Sequence, residues 1–327
     1  MAGTSPPRRQ TPFILGLVLI LAALPLGYFL FLHQPPPPPA LPMPPAPPPV
    51  VETKAPEKPM EVTLTEVTGT VEVRRADGTW EAVKPGRVLQ PSEILRTKDG
   101  ASALLRGEAV DVRLEPGTEL SLEEITATAS RFMLANGMAT ASVRSGIRHT
   151  LEMRAAGSDA VARTSEGTFA MSNNGAGTVA VGTREGEVAF FGNGKVVIVR
   201  AGQQSVVRPG SSGPSEPVKI PSSLLRKVQW PSARQNKREI VVQGEAEPGT
   251  RLELAGETFS PGQDGAFTKT VALKEGENDV KLKVSSVGGN KEEANQKFHV
   301  DTQAPTKLKV KMPWDNSGGQ TPPNPNP

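Results

Sequence analysis

Apolar and polar residues alternate along most of the chain beyond residue 60, in short runs that turn dipeptides separate. Residues 67–73 (VTGTVEV) form one such run, and an alternation of period two is typical of strands with one buried face. Turn pairs recur at spacings of roughly 8–12 residues, among them Asp77-Gly78, Asn136-Gly137 and Asn193-Gly194. The pattern predicts an all-β fold for the bulk of the chain.

The amino-terminal part has a different pattern. Residues 13–32 (FILGLVLILAALPLGYFLFL) carry no charge and would span about 30 Å as a helix, the thickness of a bilayer core. Arg8 and Arg9 precede this run, which indicates a single transmembrane helix with residues 1–12 as a cytoplasmic stub. A cleaved signal peptide is the alternative, but its apolar core is usually about 7–15 residues before a small-x-small site, and no such site follows here.

Residues 33–60 are predicted to be a proline-rich linker. Positions 35–50 (PPPPPALPMPPAPPPV) hold 11 prolines in 16 residues, and a polyproline II segment of that length reaches about 50 Å at ~3.1 Å per residue. We interpret the segment as a stalk that holds the following domains away from the membrane. The alternative is a ligand for a proline-binding groove.

Composition and charge exclude several classes of protein. The 327 residues include no cysteine and three histidines, and the net charge is +3. No spacing of zinc or haem ligands occurs, so no metal or cofactor is predicted. The near-neutral charge, without a basic run that interleaves aromatics, argues against a nucleic-acid partner. Proline (33) and glycine (32) are abundant, as in folds of short strands and many turns.

Residues 61–210 resemble a FecR domain. The resemblance rests on dispersed positions in four segments: VTGTVEVRRADGTWEAV (67–83), GRVLQPSEILRTKDGASALL (86–105), VRLEPGTELSL (112–122) and the run from GTFAM to QQSVV (167–207). It implies a membrane-tethered, extracytoplasmic β domain. The best-known members pass a signal to a sigma factor through a cytoplasmic domain, which twelve residues do not supply.

A weak internal repeat accompanies this resemblance. The spacing Gly69-x-Val71-x-Val73 before one turn recurs as Gly186-x-Val188-x-Phe190 before Asn193-Gly194. The two copies predict a duplicated β unit.

A second β domain is predicted over 219–305, after a linker at 211–218. Its turns and alternation indicate six or seven short strands, the number of an immunoglobulin-like sandwich. The string of GEAEPGT (244–250), DGAF (264–267) and LKEGENDV (273–280) is similar to bacterial Ig-like modules, including the glucodextranase B-domain type. Phe267 and Val280 are expected in the core, and Asn278 is expected to cap a loop. Residues 306–327 are predicted to be a disordered tail.

No catalytic site is predicted, and we expect that the protein is not an enzyme. Adjacent acids such as Glu123-Glu124 should point to opposite faces of a strand rather than converge. His149 is expected on the surface. Trp80 is expected to pack. Trp230, which precedes Pro231, is expected to plug the entry of the second domain. Trp230 and Trp314 are the candidate ligand contacts, since exposed indoles stack on sugar rings.

These expectations combine into one functional hypothesis. The chain is predicted to be a bacterial inner-membrane protein with one span, a cytoplasmic amino terminus and its bulk in the periplasm. Its role would be non-enzymatic: binding, scaffolding or signal sensing, with an envelope protein as partner through exposed β edges. The alternatives are a module that binds peptidoglycan or polysaccharide, and a transmembrane regulator of a sigma-factor pathway.

Overall fold

The computed structural model describes residues 11–31, 60–75 and 78–303. Helix α1 (Thr11–Phe31) contains Pro25 and is followed in the described residues by strands alone. Among these residues no helix is both long and apolar enough to cross a membrane, so the span at 13–32 stays a prediction. The stub up to residue 10, the linker at 33–59 and the tail at 306–327 lie outside the described residues.

The described chain is predominantly β, as its alternation predicts, and it falls into two β regions. The first region has sixteen strands: β1 (Val62–Thr68), β2 (Val71–Arg74), β3 (Trp80–Ala82), β4 (Val88–Leu89), β5 (Ile94–Thr97), β6 (Ser102–Arg106), β7 (Val110–Leu114), β8 (Glu119–Ile125), β9 (Ala129–Val143), β10 (Thr150–Ala155), β11 (Val161–Thr164), β12 (Gly167–Asn173), β13 (Val179–Gly192), β14 (Lys195–Arg200), β15 (Gln203–Val207) and β16 (Val218–Lys219).

These strands form two layers. Layer 1 has the order β16-β15-β13-β12-β9-β7-β6-β1-β4. Layer 2 has the order β14-β13-β11-β10-β9-β8-β5-β2-β3. The inward side chains of both layers pack into one aliphatic core that includes Phe132, Phe169 and Phe190. Burial of this apolar surface is the main driving force of the fold.

Strand β9 belongs to both layers because it bends at Gly137. Its first half pairs with β8 and β10, and its second half pairs with β7 and β12. Gly137 has φ +102°, and a Cβ there would lie 2.5 Å from the Cα of Thr118. The sequence prediction of a turn at Asn136-Gly137 is therefore wrong: the glycine bends a continuous strand from one layer into the other.

The internal repeat corresponds to two segments in which the chain follows the same path between the layers. Strand β1 of layer 1 continues through Gly69, which has a positive φ, into β2 of layer 2. The chain then returns through β3 to β4, which pairs with β1. Strand β13 bends likewise at Gly186, and its hairpin with β14 leads to β15 beside the first half of β13. The hairpin residues Asn193 (φ 47°) and Gly194 (φ 71°) both have positive φ, as a type I′ turn requires.

The second β region has eight strands in two sheets. The strands are β17 (Leu225–Gln229), β18 (Arg234–Gln235), β19 (Glu239–Ala246), β20 (Arg251–Leu254), β21 (Glu257–Phe259), β22 (Ala266–Ala272), β23 (Gly276–Ser285) and β24 (Lys291–Val300). Their sheet orders are β17-β19-β22 and β18-β24-β23-β20-β21. The number of strands thus exceeds the predicted six or seven, because β18 and β21 are short edge strands.

Both sheets of the second region contribute to a common core that contains Phe267 and Val280, as predicted. The Asn278 side chain accepts a hydrogen bond from Lys274 N (2.9 Å) and donates to Lys274 O (2.8 Å). It therefore closes the loop before β23, which confirms the predicted cap.

The predicted linker at 211–218 is folded against the first region. Ser205 Oγ donates to Ser215 O (2.7 Å), and Val206 N donates to Ser215 Oγ (3.1 Å). Strand β16 then pairs with β15. Residues 60–303 form one compact unit, so the chain enters the second region along a sheet edge and not through a free spacer.

The second region rests on the outer face of layer 1. Val287, in the turn between β23 and β24, is buried against a patch of that face made of Met138, Ala170, Ala180 and Val206. Gly182 lies beneath this turn, and a Cβ there would be 2.8 Å from the Val287 carbonyl carbon. Ser172 Oγ also donates to Gly249 O (2.5 Å). We call this contact the joint: small layer 1 residues let the backbone of the second region approach closely.

We predict that Gly182→Ala weakens the joint. The added methyl would meet backbone atoms of Val287, which cannot move aside as a side-chain tip can. The free energy of unfolding, from urea titration, should fall by about 1–3 kcal/mol, the usual cost of overpacking.

The matched control is Gly262→Ala. Its Cβ would meet the Asp264 carboxylate at 3.0 Å and the Ala266 carbonyl oxygen at an ordinary 3.4 Å. The carboxylate can rotate away, at the cost of the one exposed hydrogen bond that it accepts from Ala266 N. Equal losses in the two variants would contradict the close packing described for the joint.

Candidate interaction surface

The outer face of layer 2 carries a ladder of ion pairs across neighbouring strands. Arg131 Nη1 lies 2.5 Å from Glu124 Oε2, and its Nε lies 3.4 Å from Glu152 Oε1. Glu152 also pairs with Arg163 at 2.7 Å. Each such exposed pair stabilises a fold by only about 0–1 kcal/mol. The ladder therefore contributes more to the charge pattern of this face than to the stability of the fold.

Trp80 lies at one end of the face, on edge strand β3. It is half-buried, and the Arg96 guanidinium lies over its ring, 3.8 Å from the centroid. Arg96 Nη2 in turn donates to Glu72 Oε2 (2.6 Å), and Lys98 Nζ lies 3.2 Å from the same oxygen. Trp80 thus packs as predicted, but against a guanidinium on the surface and not within the core.

The hydrogen bond from Arg96 holds the pKa of Glu72 below its usual value, although partial burial opposes that shift. Lys98 acts in the same direction as Arg96. The ionised carboxylate is therefore the form that holds Arg96 over Trp80.

Edge strand β14 lies at the other end of the face. It pairs with β13 alone among the strands of the described chain. The two-residue turn makes Gly192 and Lys195 a hydrogen-bonded pair, and alternation then directs the backbone groups of Val196 and Ile198 away from β13. The Arg200 N–H, which follows in this series, donates to Gln203 Oε1 (3.1 Å). Val196 and Ile198 therefore offer main-chain donors and acceptors to a further strand.

The same two residues also expose apolar side chains. Val196 is 52% exposed and Ile198 is 39% exposed. Their cross-strand neighbours Phe191 and Ala189 continue the apolar surface, and Val161 follows on β11. We call these five residues the apolar strip. A sheet edge with free backbone groups and apolar side chains, here at Val196 and Ile198, is a site at which a further strand can add.

The structure places one of the two candidate tryptophans. Trp230 is half-buried against the second core, with its ring centroid 6.1 Å from that of Phe298. Trp314 lies outside the described residues. Their role as ligand contacts stays a prediction, and the structure brings Trp230 together with core residues.

Two other expectations from the sequence are wrong. A bulge between Leu122 and Glu124 in β8 turns Glu123 and Glu124 toward the same outer face, where each pairs with its own arginine. His149 is buried, with Nε2 2.8 Å from Ser130 Oγ and Nδ1 3.3 Å from Ala127 O. It precedes β10 in a loop that folds onto β9, so strand alternation does not apply to it.

The sequence predicts exposed β edges in general, but it does not single out β14. The sequence signal for this edge lies in residues 195–200 (KVVIVR). The four central residues are β-branched and apolar, and no charged side chain among them protects the edge. Within the described part of the chain, no group of His, Cys, Asp and Glu is placed to hold a metal ion.

Comparison with known proteins does not assign the chain to a family. No protein-family model matches the chain, and no curated protein does. Two crystal structures of a "putative anti-sigma factor" from Parabacteroides distasonis are similar to it at 18% and 17% identity, each with a TM-score of 0.32. The matches cover 39% of this chain and 58% of the other, so the chain spans less than two thirds of those proteins. The resemblance to FecR domains stays a sequence interpretation.

The charge stack at Trp80 predicts a specific acid sensitivity. Because the pKa of Glu72 is lowered in the folded state, its stabilising effect is present above its unfolded value of about 4.3 and is lost as the pH falls through the folded value. Glu72→Gln should therefore be less stable than the parent at pH 7, and the difference should be smaller at pH 3, because part of the effect is lost below the unfolded value. Urea midpoints at both pH values measure this.

Glu66→Gln is the control for loss of a glutamate charge, because both side chains of the Glu66–Arg113 ion pair are exposed to solvent. A gap between parent and Glu72→Gln that is as large at pH 3 as at pH 7 would contradict the assignment.

Proposed function

We propose that the protein is a non-enzymatic, membrane-anchored binding or scaffold protein of the bacterial envelope. Two sequence features support the anchor: the uncharged run at 13–32 and the arginines that precede it. On this proposal the proline-rich stalk carries both β regions into the periplasm. The immunoglobulin-like and FecR-like interpretations of these regions belong to the same proposal.

The observation that carries the binding role is the open edge of β14 with its apolar strip. The bound partner would be an extended segment of another protein that adds to layer 2 as a further strand. Main-chain hydrogen bonds would give affinity, and alternate apolar side chains on Val196 and Ile198 would give specificity. The segment would carry acidic residues at its ends, because Lys195 and Arg200 flank the apolar part of β14.

The same charges disfavour a second copy of this chain as the occupant. Antiparallel pairing of two β14 strands over all six residues would set Lys195 opposite Arg200. Like charges directly opposite one another destabilise a strand pair. The charge pattern of the edge therefore favours a different protein.

A photocrosslinking experiment tests the proposal in cells. The full chain would carry a photoreactive amino acid at Val196 or, as a matched control, at Val241, which is also exposed but lies on the central strand β19. We expect a crosslinked envelope protein from position 196 and none from position 241.

The charge variant Ile198→Lys should reduce that crosslink at least about tenfold, because it sets a cation in the apolar strip. Val241→Lys should leave it unchanged. A crosslink that both variants leave intact, or that forms equally from position 241, would refute strand addition at β14.

A further inference from the structure

A row of hydrogen-bond donors crosses the outer face of the five-stranded sheet, far in sequence from β14. Pairing sets Arg251 of β20 opposite Ser285 of β23, and Ser285 opposite Lys291 of β24. Residues directly opposite one another share a face, and adjacent strands lie about 4.8 Å apart. Ser285 therefore lies between two cationic side chains, and we call these three residues the donor row.

The donor row lines a cleft of about 340 Å³ beside the joint. Its opposite wall comes from the first region and includes Glu115, Pro116 and Met138. A volume of this size is within the range of sites for small ligands, which often lie where two domains meet. Both walls belong to one compact unit, so the cleft is preformed.

Arg251 is the most unusual member of the row. It is 6% exposed, and its Nη2 donates to Gly117 O (2.9 Å) while its Nη1 donates to Ser260 Oγ (2.8 Å). Burial lowers the pKa of Arg251 to about 10, which Asp99 partly offsets. The guanidinium therefore stays charged at neutral pH within a largely desolvated site.

Two buried polar atoms at this cleft lack a partner among the described residues: Arg251 Nε and Thr258 Oγ1. Buried donors without acceptors are rare in folded proteins. The Ser285 hydroxyl and the Lys291 ammonium likewise make no hydrogen bond or ion pair with any residue that the structure describes. The Arg251 Nε–H and the Lys291 ammonium can only donate, and the Ser285 hydroxyl between them can donate as well, so the complementary ligand group is an oxyanion.

The surrounding acids restrict the charge of that ligand. Glu115 faces the row from the other wall, and Glu253, paired with Lys283 at 3.0 Å, and Glu293 lie in the next row of the sheet. These carboxylates would repel a phosphate dianion more than a singly charged group. We propose that the cleft binds a small carboxylate-bearing molecule whose carboxylate lies over Ser285 between Arg251 and Lys291. This proposal is independent of the β14 edge.

Ligand-observed NMR on the full chain in detergent micelles tests the proposal. The probes are acetate, through saturation transfer to its methyl protons, and inorganic phosphate, through ³¹P line broadening, with ionic strength held constant by sodium chloride. We expect saturable acetate binding that is tighter than phosphate binding.

Lys291→Met and Ser285→Ala should each weaken acetate binding about tenfold, as expected for loss of one hydrogen bond to a charged group. Both changes remove side-chain groups that make no hydrogen bond or ion pair with the described residues, so the fold should persist. Lys297→Met is the matched control, because Lys297 lies on the same strand, exposed and six residues away, and it should leave acetate binding unchanged.

Three results would overturn the proposal. The first is acetate binding that does not saturate, and the second is acetate binding that Lys291→Met and Ser285→Ala leave unchanged. The third is phosphate binding that exceeds acetate binding, because it would contradict the selection for a singly charged group.

Discussion

The structure depends most on the close approach of a backbone turn to a patch of small residues. Val287 lies on the outer face of layer 1, where Gly182, Ala170 and Ala180 leave room for it. Arg251 supplements this contact with a hydrogen bond to the carbonyl of Gly117 across the joint. Apolar contact gives the joint its affinity, and the buried guanidinium fixes its register, because a misplaced cation there would lose its acceptors.

Both proposed binding surfaces depend on this joint. The second region covers part of layer 1, which leaves layer 2 and its edge strand β14 exposed to partners. The joint also creates the cleft of the donor row, since one wall comes from each region. A protein that binds through a sheet edge benefits from a rigid support, because the strand is then held in the extended form before a partner arrives.

Much of this fold could be predicted from the sequence, because strands and turns are local properties. Period-two alternation gives the strands, Asn193-Gly194 gives the hairpin, and the spacing around Gly69 and Gly186 gives the repeated chain path. The bend at Gly137 is not predicted, since a glycine that turns a chain and a glycine that bends a strand give the same signal in a sequence. The joint, the burial of His149 and the open edge of β14 depend on contacts between distant segments, such as that of Ser172 with Gly249, so alternation carries no signal for them.

The two β regions belong to one compact unit, and we expect them to move as one rigid body. The chain has no cysteine, so Ser165→Cys in the first region and Asp279→Cys in the second would accept two spin labels without competing sites. Pulsed electron paramagnetic resonance on the full chain in micelles would measure the distance between the labels. We expect a single narrow distribution that broadens in Gly182→Ala, whereas a broad distribution in the parent chain would contradict a rigid joint.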